Sequence, residues 1–492
     1  MSLSDTFTAP GPAPHCATPD PVERSDLFRL AVAVAGIVAG LAVLRSASRA
    51  FAPGTTTADH PVILVVASLV IAGLAWMSAF APLGRVAARG GPVARRVLWG
   101  GLGLAVGLRV LFVGTYPIYE DDYQRYLWDG AVVAKGLNPY AHAPAEVSTP
   151  PMPGDPPNLA ALREIAENER MGAGVVERIN NPELSTLYPP TAQAAFALAA
   201  QVARFDSDGL RWVFLLVEVA GFGVMAAALR RYGRSATWGL LYMLCPLVIF
   251  AGMNTLHMDV LLPPFVMAAL LWVGRRPMLA AASLALAVGV KVWPLVLGPV
   301  LFRQYRRDPA RYVAYGALLG GLSLVVMAPL LVRLGETSGL AAYSAGWVRS
   351  SFLFPLMVEG LAGVSAAPDW LARLLVAGTV SAVALWLALV ARPAPERLPG
   401  ALLAVVLVLL WLSPTGFPWY MIWAAMFLPF VPSYGVGLLC VSVSLYYARF
   451  WFGEAGRYDI YLEVLVPLQF VPPLIVLALE VGRLQARRLR RG

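Results

Sequence analysis

The stretch "VLWGGLGLAVGLRVLFVGTYPIYEDDYQRY", residues 97–126, decides the reading of this chain. An apolar run of 19 residues, 97–115, ends in a short polar turn and then in three consecutive carboxylates, Glu120, Asp121 and Asp122. A run of that length as helix covers about 30 Å of hydrocarbon. Similar runs recur along most of the 492 residues, which are 58% hydrophobic and only 14% charged, with mean hydropathy +0.66. Such a composition excludes a soluble globular domain and indicates an all-α, polytopic transmembrane helical bundle.

The opening segment, residues 1–26, is polar and proline-rich and lacks a basic stretch leading into a cleavable apolar core, so it reads as a disordered cytoplasmic tail. Residues 27–492 form the membrane domain. The three cysteines, Cys16, Cys245 and Cys440, are scattered and suggest neither a disulfide framework nor a zinc site. The net charge of +9 does not point to nucleic acid, because the basic residues sit in short clusters between apolar runs. In a membrane protein that pattern reports orientation.

Arginine clusters at 85–96, 230–234, 275–276, 303–311, 392–397 and 483–491 are all assigned to the cytoplasm by the positive-inside rule. Threading the apolar runs between them gives spans near 28–45, 61–82, 97–115, 210–229, 236–252, 258–273, 278–290, 293–302, 312–331, 371–391, 398–413, 419–432, 434–450 and 461–482, a bundle of 12 to 14 crossings with both termini inside. Residues 278–302 form a short hairpin tipped by "KVWP". The helix at 188–204 cannot cross without reversing every later cluster, and is expected to pack as a re-entrant or interfacial element on the outer face. The large outer loops are 116–209, with a further helix at 158–170, and 332–370.

On this topology the informative polar residues converge outside. They are Glu120, Asp121, Asp122 and Arg125; Asn180, Asn181 and Tyr188; Arg211; Asn254, His257 and Asp259; Lys291; Trp347 and Arg349; and Trp419 and Tyr420. Lys291 is one of two lysines in the chain and stands in a segment otherwise free of charge, which marks it as functional because charge near a membrane interior is costly. Adjacent carboxylates against a low-dielectric wall raise each other's proton affinity, which suits a general base near neutral pH. Outer-face Lys and Arg suit a phosphate and the charge it acquires on leaving. A base beside a phosphate clamp describes group transfer from a lipid phosphate, since soluble nucleotide donors would lie on the opposite side. No P-loop and no G-x-S-x-G serine is present. No cofactor is indicated beyond a divalent cation, for which Asp121 and Asp122 offer hard oxygen ligands without a confirmed third or fourth partner.

Four ordered motifs carry a resemblance: "EDDYQRYLWDGAVVAKGLNPY" (120–140), "LYPPTAQ" (187–193), "GMNTLHMD" (252–259) and "SPTGFPWY" (413–420). With them the chain resembles the GT-C superfamily of membrane glycosyltransferases, in particular the bacterial polyprenol-phosphate-mannose-dependent α-mannosyltransferases. The resemblance implies a GT-C fold in the inner membrane, an extracytoplasmic active site, a polyprenyl-phosphate sugar donor, a glycan or lipid-linked acceptor and an inverting displacement. It implies Asp122 as the catalytic base with Asp121 as partner or sugar ligand. His257 and Asp259 would bind donor phosphate or acceptor hydroxyls, together with Arg125, Lys291, Arg211, Arg349, Tyr188, Trp419 and Tyr420. Met258 stands where that family usually has Asn, and two spans precede its usual first helix. The competing readings are a flippase or transporter of lipid-linked saccharides, and a polysaccharide ligase or polymerase taking a lipid-diphosphate glycan.

Overall fold

A computed structural model describes residues 24–56, 59–168, 172–333, 335 and 338–489, and the tail through residue 23, with Cys16, lies outside the described residues. Every regular element among them is helical, and the extended contacts are two isolated bridges, Ser185 to Ser338 and Arg349 to Thr415. Asp26, placed in the tail by composition, instead lies in the first turn of α1 (Arg24–Ala47). It is buried and receives a forked pair of hydrogen bonds from Arg85, with Nη2 at 2.6 Å and Nε at 2.9 Å. That pair ties α1 to α3 (Phe80–Arg89), which continues α2 (Val62–Ser78).

Eight helices among the described residues are long and apolar enough to cross a membrane, and nine if the bent pair at 236–254 is one span. This is fewer than the 12 to 14 crossings expected from the apolar runs. The runs are present, but several are too short or broken to cross. Residues 258–273 and 278–290 form the short apolar helices Met258–Trp272 and Pro277–Val288, and 293–302 folds as brief turns. The 419–432 run folds as single turns at Pro418–Met421 and Ile422–Ala425, buried throughout. The 97–115 run lies in α4 (Gly91–Val110), which carries Arg95, Arg96 and Arg109 and is not among the eight. Hydropathy responds to burial in protein as strongly as to lipid, so a core segment and a span read alike.

The helix expected at 188–204 is present, and the segment 278–302 folds back as expected. Pro190–Val202 is a 13-residue helix, here α6, packed on α5 (Asp122–Ala134), and Gly130 meets the Phe196 carbonyl too closely to admit a Cβ. The 278–302 hairpin closes on itself, because Gln304 and Tyr305 both donate to the Val273 carbonyl, the latter at 2.9 Å.

Five of the arginine clusters, those at 85–96, 230–234, 275–276, 303–311 and 392–397, are linked by contacts at one end of the bundle. Trp238 packs on Gly84, and Arg231 touches Gly274. Arg303 donates to the Ala394 carbonyl at 2.6 Å. The helix α7 (Ser207–Arg231) runs from this basic end to the opposite one, where residues 207–211 approach the segment before the three acids.

Between the ends, α4 and α7 are joined by a buried ion pair: Arg109 Nη2 and Nε donate to Glu218 at 2.8 and 2.9 Å. Arg109 Nη1 also donates to the Met243 carbonyl at 2.8 Å, at the point where the helix pair Ala236–Met243 and Pro246–Asn254 bends by 60°. Pro246 lacks an N–H, so the bend leaves carbonyls without helical partners, and side chains must satisfy them. Trp76 does the same for the Leu241 carbonyl at 3.0 Å. Removing one member of a buried pair strands the other charge, at a cost of about 3–5 kcal/mol, whereas replacing both by apolar side chains is close to neutral. Arg109→Leu is therefore expected to melt several degrees below the wild type in detergent, and Arg109→Leu/Glu218→Leu to recover most of the loss. A single variant as stable as the wild type would remove this pair as the lock on the bend.

Candidate active site

The acids are held by backbone stitched from two motifs. Arg211, at the start of α7 and fully buried, donates from Nη2 to the Thr115 carbonyl at 2.6 Å and from Nε to the Met253 carbonyl at 2.8 Å. Asn254 accepts from the Ile118 N–H at 3.0 Å and donates to the Tyr116 carbonyl at 3.1 Å. The chain next passes through Tyr119 at φ +63°, a left-handed conformation unusual for a bulky residue. The Tyr119 ring is stacked on Phe450, with centroids 3.8 Å apart, and flanked by Phe51 and His60 from the α1–α2 connection. Glu120, Asp121 and Asp122 follow, with Asp122 opening α5.

The second motif is equally constrained. Phe250–Asn254 winds as a π-turn, Leu256 takes φ +61°, and the His257 N–H returns to the Ala251 carbonyl at 2.8 Å. Single π-turns and buried left-handed residues concentrate at functional sites, because the surrounding fold must sustain their strain. The result is a buried His257 stacked on Trp419, centroids 3.5 Å apart at 12°.

Around this imidazole the carboxyls gather. His257 Nε2 lies 3.8 Å from Glu120, and Nδ1 lies 3.9 Å from Asp122. Asn180 Nδ2 donates to both Asp121, at 2.8 Å, and Asp122, at 3.1 Å. Burial drives the Glu120 carboxyl well above the usual range, with Arg449 opposing and the two aspartates reinforcing. Burial, and next the Asp121 charge, push Asp122 up to about 6, against the Asn180 hydrogen bond and the Lys291 charge. Burial and Lys291 hold the imidazole well below its ordinary value, so it is neutral. Solvent reaches 27% of the Asp122 side chain but only 8% of Glu120 and 1% of His257, while Asp121 beside it is exposed, so the two aspartates are the accessible carboxyls of this group. Both ring nitrogens of His257 and Oε1 of Glu120 are buried without hydrogen-bond partners. Buried polar atoms left open in this way call for a polar ligand or water.

The facing wall comes from the hairpin tip and the fourth motif. Lys291 Nζ pairs with both Asp259 oxygens at 2.9 and 3.1 Å, and Trp423 Nε1 donates to the same carboxylate at 2.6 Å. The ammonium sits 4.1 Å from the Tyr420 ring centroid, and the Tyr420 hydroxyl meets that of Tyr343 at 2.5 Å. Tyr188 adds a hydrogen bond to Asp122.

Asp121, Asp122, His257, Asp259, Lys291, Tyr188, Trp419 and Tyr420 thus come together as one site. Arg125, Arg211 and Arg349 do not join it in the same way. Arg125 is buried and donates to the Leu184 carbonyl at 2.6 Å, Arg211 serves the backbone as described, and Arg349 is exposed, with its backbone bridged to Thr415. Asn180, Trp423, Tyr343 and Arg449 belong to the neighbourhood without having been singled out as binding residues. For Arg449 the signal was available: a lone cation in the apolar stretch "VSVSLYYARFWF". Among the described residues no three His, Cys, Asp or Glu side chains converge as a ready metal cluster. Neither protein-family models nor curated proteins nor solved structures gave a match to the chain.

Asn180 is the neutral donor shared by two acids. In Asn180→Leu the Asp122 carboxylate loses stabilisation, so its protonation midpoint is expected to rise by about 1 unit from about 6. Titration followed by the carboxyl infrared band, with Asp122→Asn as the reference, checks this; an unmoved midpoint would remove Asn180 from the tuning of the site.

Proposed function

We propose that the protein is a membrane glycosyltransferase that moves a hexose from a polyprenyl-phosphate sugar to a glycan or lipid-linked acceptor. The observation that carries the reading is Asp122, a solvent-reachable carboxyl raised to about 6 at the edge of a buried polar cluster. At neutral pH such a group is unprotonated yet more basic than an ordinary aspartate, as a general base requires. Asp122 takes the proton of the acceptor hydroxyl, whose oxygen forms a bond to the anomeric carbon. The bond from that carbon to the phosphate oxygen breaks, its electron pair stays on the oxygen, and polyprenyl phosphate leaves with inversion.

Supporting this are the open nitrogens of His257 and the open oxygen of Glu120, which offer one acceptor-or-donor rim for sugar hydroxyls. Trp419 and Tyr420 brace the site from behind, Trp419 stacked on His257 and Phe417 and Tyr420 stacked on Trp423 beneath Lys291. The basic end of the bundle supports a cytoplasmic assignment for that end and an extracytoplasmic one for the acids, so the donor would arrive through the bilayer of the inner membrane. Mannose is the sugar the motif resemblance favours.

Asp122→Asn is expected to lower transfer by about 10²–10⁴-fold while the protein remains folded, and Asp121→Asn to have the smaller effect. Wild-type kcat/KM should rise as pH passes upward through about 6 and level off above, because the base must lose its proton. Membranes enriched in the protein and supplied separately with labelled polyprenyl-phosphate mannose and labelled lipid-diphosphate glycan provide the measurement. Consumption of the diphosphate donor alone would replace this reading with a ligase or polymerase, and translocation without bond formation with a flippase.

A further inference from the structure

The helical stretch Tyr434–Glu454 carries one cation, Arg449, into the neighbourhood of the acids. Its guanidinium lies 4.5 Å from the Tyr446 ring centroid and 4.4 Å from that of Phe450. Phe450 is in turn the residue stacked face to face on Tyr119, immediately before Glu120. Arg449 is therefore fixed beside the acid turn by two rings, and its charge is felt at Glu120 and Asp121.

Unlike the other enclosed cations around the acids, it has neither an anionic nor a carbonyl partner among the described residues. Lys291 is neutralised by Asp259, Arg373 is paired with Asp369 at 2.7 Å, and Arg125 and Arg211 donate to carbonyls. Among the described residues Arg449 makes no ion pair and no side-chain hydrogen bond, although it is only partly exposed. Its charge is felt at Glu120 and Asp121, yet among the described residues no carboxylate lies within ion-pair distance of it. Its nitrogens are not among the buried unpartnered atoms, so they reach solvent and stay open to a ligand, and the planar fork matches the oxygens of a phosphate. Beyond it, Trp451, Leu462 and Val464 are 45–49% exposed and present apolar surface to whatever solvates the bundle.

We infer that Arg449 anchors the phosphate of the lipid donor, with the prenyl chain leaving over Trp451, Leu462 and Val464; this rests on the transferase reading. In that role Arg449 holds the phosphodiester in the ground state and gathers the charge that appears on polyprenyl phosphate when the sugar leaves. Lys291, already committed to Asp259, positions that carboxylate at the opposite wall.

The test uses the full chain in phosphatidylcholine nanodiscs and measures binding of farnesyl phosphate, farnesol and inorganic phosphate to wild type, Arg449→Gln and Arg449→Lys. Wild type is expected to prefer farnesyl phosphate to farnesol by about tenfold or more, and Arg449→Gln to bring the two within about threefold. Inorganic phosphate is expected to compete only weakly. An undiminished preference in a folded Arg449→Gln overturns the anchor while leaving the Asp122 experiment untouched. Absence of any preference in the wild type overturns the lipid-phosphate reading itself, and inorganic phosphate competing as well as farnesyl phosphate overturns the lipid as its source. Should Arg449→Gln fail to fold, Arg449→Lys decides: a loss of about threefold or more supports the forked anchor, and wild-type affinity overturns it.

Discussion

The Arg211 guanidinium, with no exposed surface, joins three parts of the chain that sequence holds far apart: the end of the α4 connection at Thr115, the π-turn at Met253 and the start of α7 at Ser207 and Asp208. A buried cation tolerates no idle donors, so each of these partners has one position compatible with the others. The acids inherit their place from this junction. Asn254 completes it by closing on Tyr116 and Ile118, and the chain then passes through the left-handed turn at Tyr119. Strain at Tyr119 and Leu256 is sustained by the stacking of Tyr119 on Phe450 and by the burial of Leu256.

The second consequence of that placement is electrostatic. Three carboxyls and an imidazole share a pocket of low polarity, and they do not all carry charge. Glu120 and His257 are the most enclosed, and burial disfavours charge on both; Asp122, better exposed than either and steadied by Asn180 and Lys291, is raised to about 6. Asp259 remains the counter-ion of Lys291 across the site. Division of labour among chemically similar side chains thus follows from graded burial and not from residue identity.

The α1–α2 pair is not an appendage. Its connection brings Phe51 and His60 against Tyr119, and Gly73 of α2 packs against Val441 in the helix that carries Arg449. These helices therefore brace both sides of the acid turn. Aromatic contacts of this kind add about 0.5–1.5 kcal/mol each beyond burial, enough to bias a loop that is already held at its root by Arg211.

Composition and hydropathy were sufficient for an all-helical, multi-pass chain, because a bilayer accepts only elements that satisfy their own backbone, and apolar runs of that length have few alternatives. The arginine clusters implied that 278–302 folds back on itself, which the Gln304 and Tyr305 contacts with Val273 bear out, and the helix expected at 188–204 is present as Pro190–Val202. Motif spacing was sufficient to draw attention to Asp122, His257, Asp259, Lys291 and Tyr420, whose side-chain chemistry is unusual for greasy surroundings. The number of crossings was not legible: a segment buried in protein and one buried in lipid lose the same contacts with water, and only tertiary packing separates Pro418–Ala425 from a true span. Nor could sequence tell which arginines are spent on carbonyls, as Arg211 and Arg125 are, and which keep their donors, as Arg449 does. That distinction depends on distances between residues 42 to 96 positions apart, and it exists only once the helices have packed.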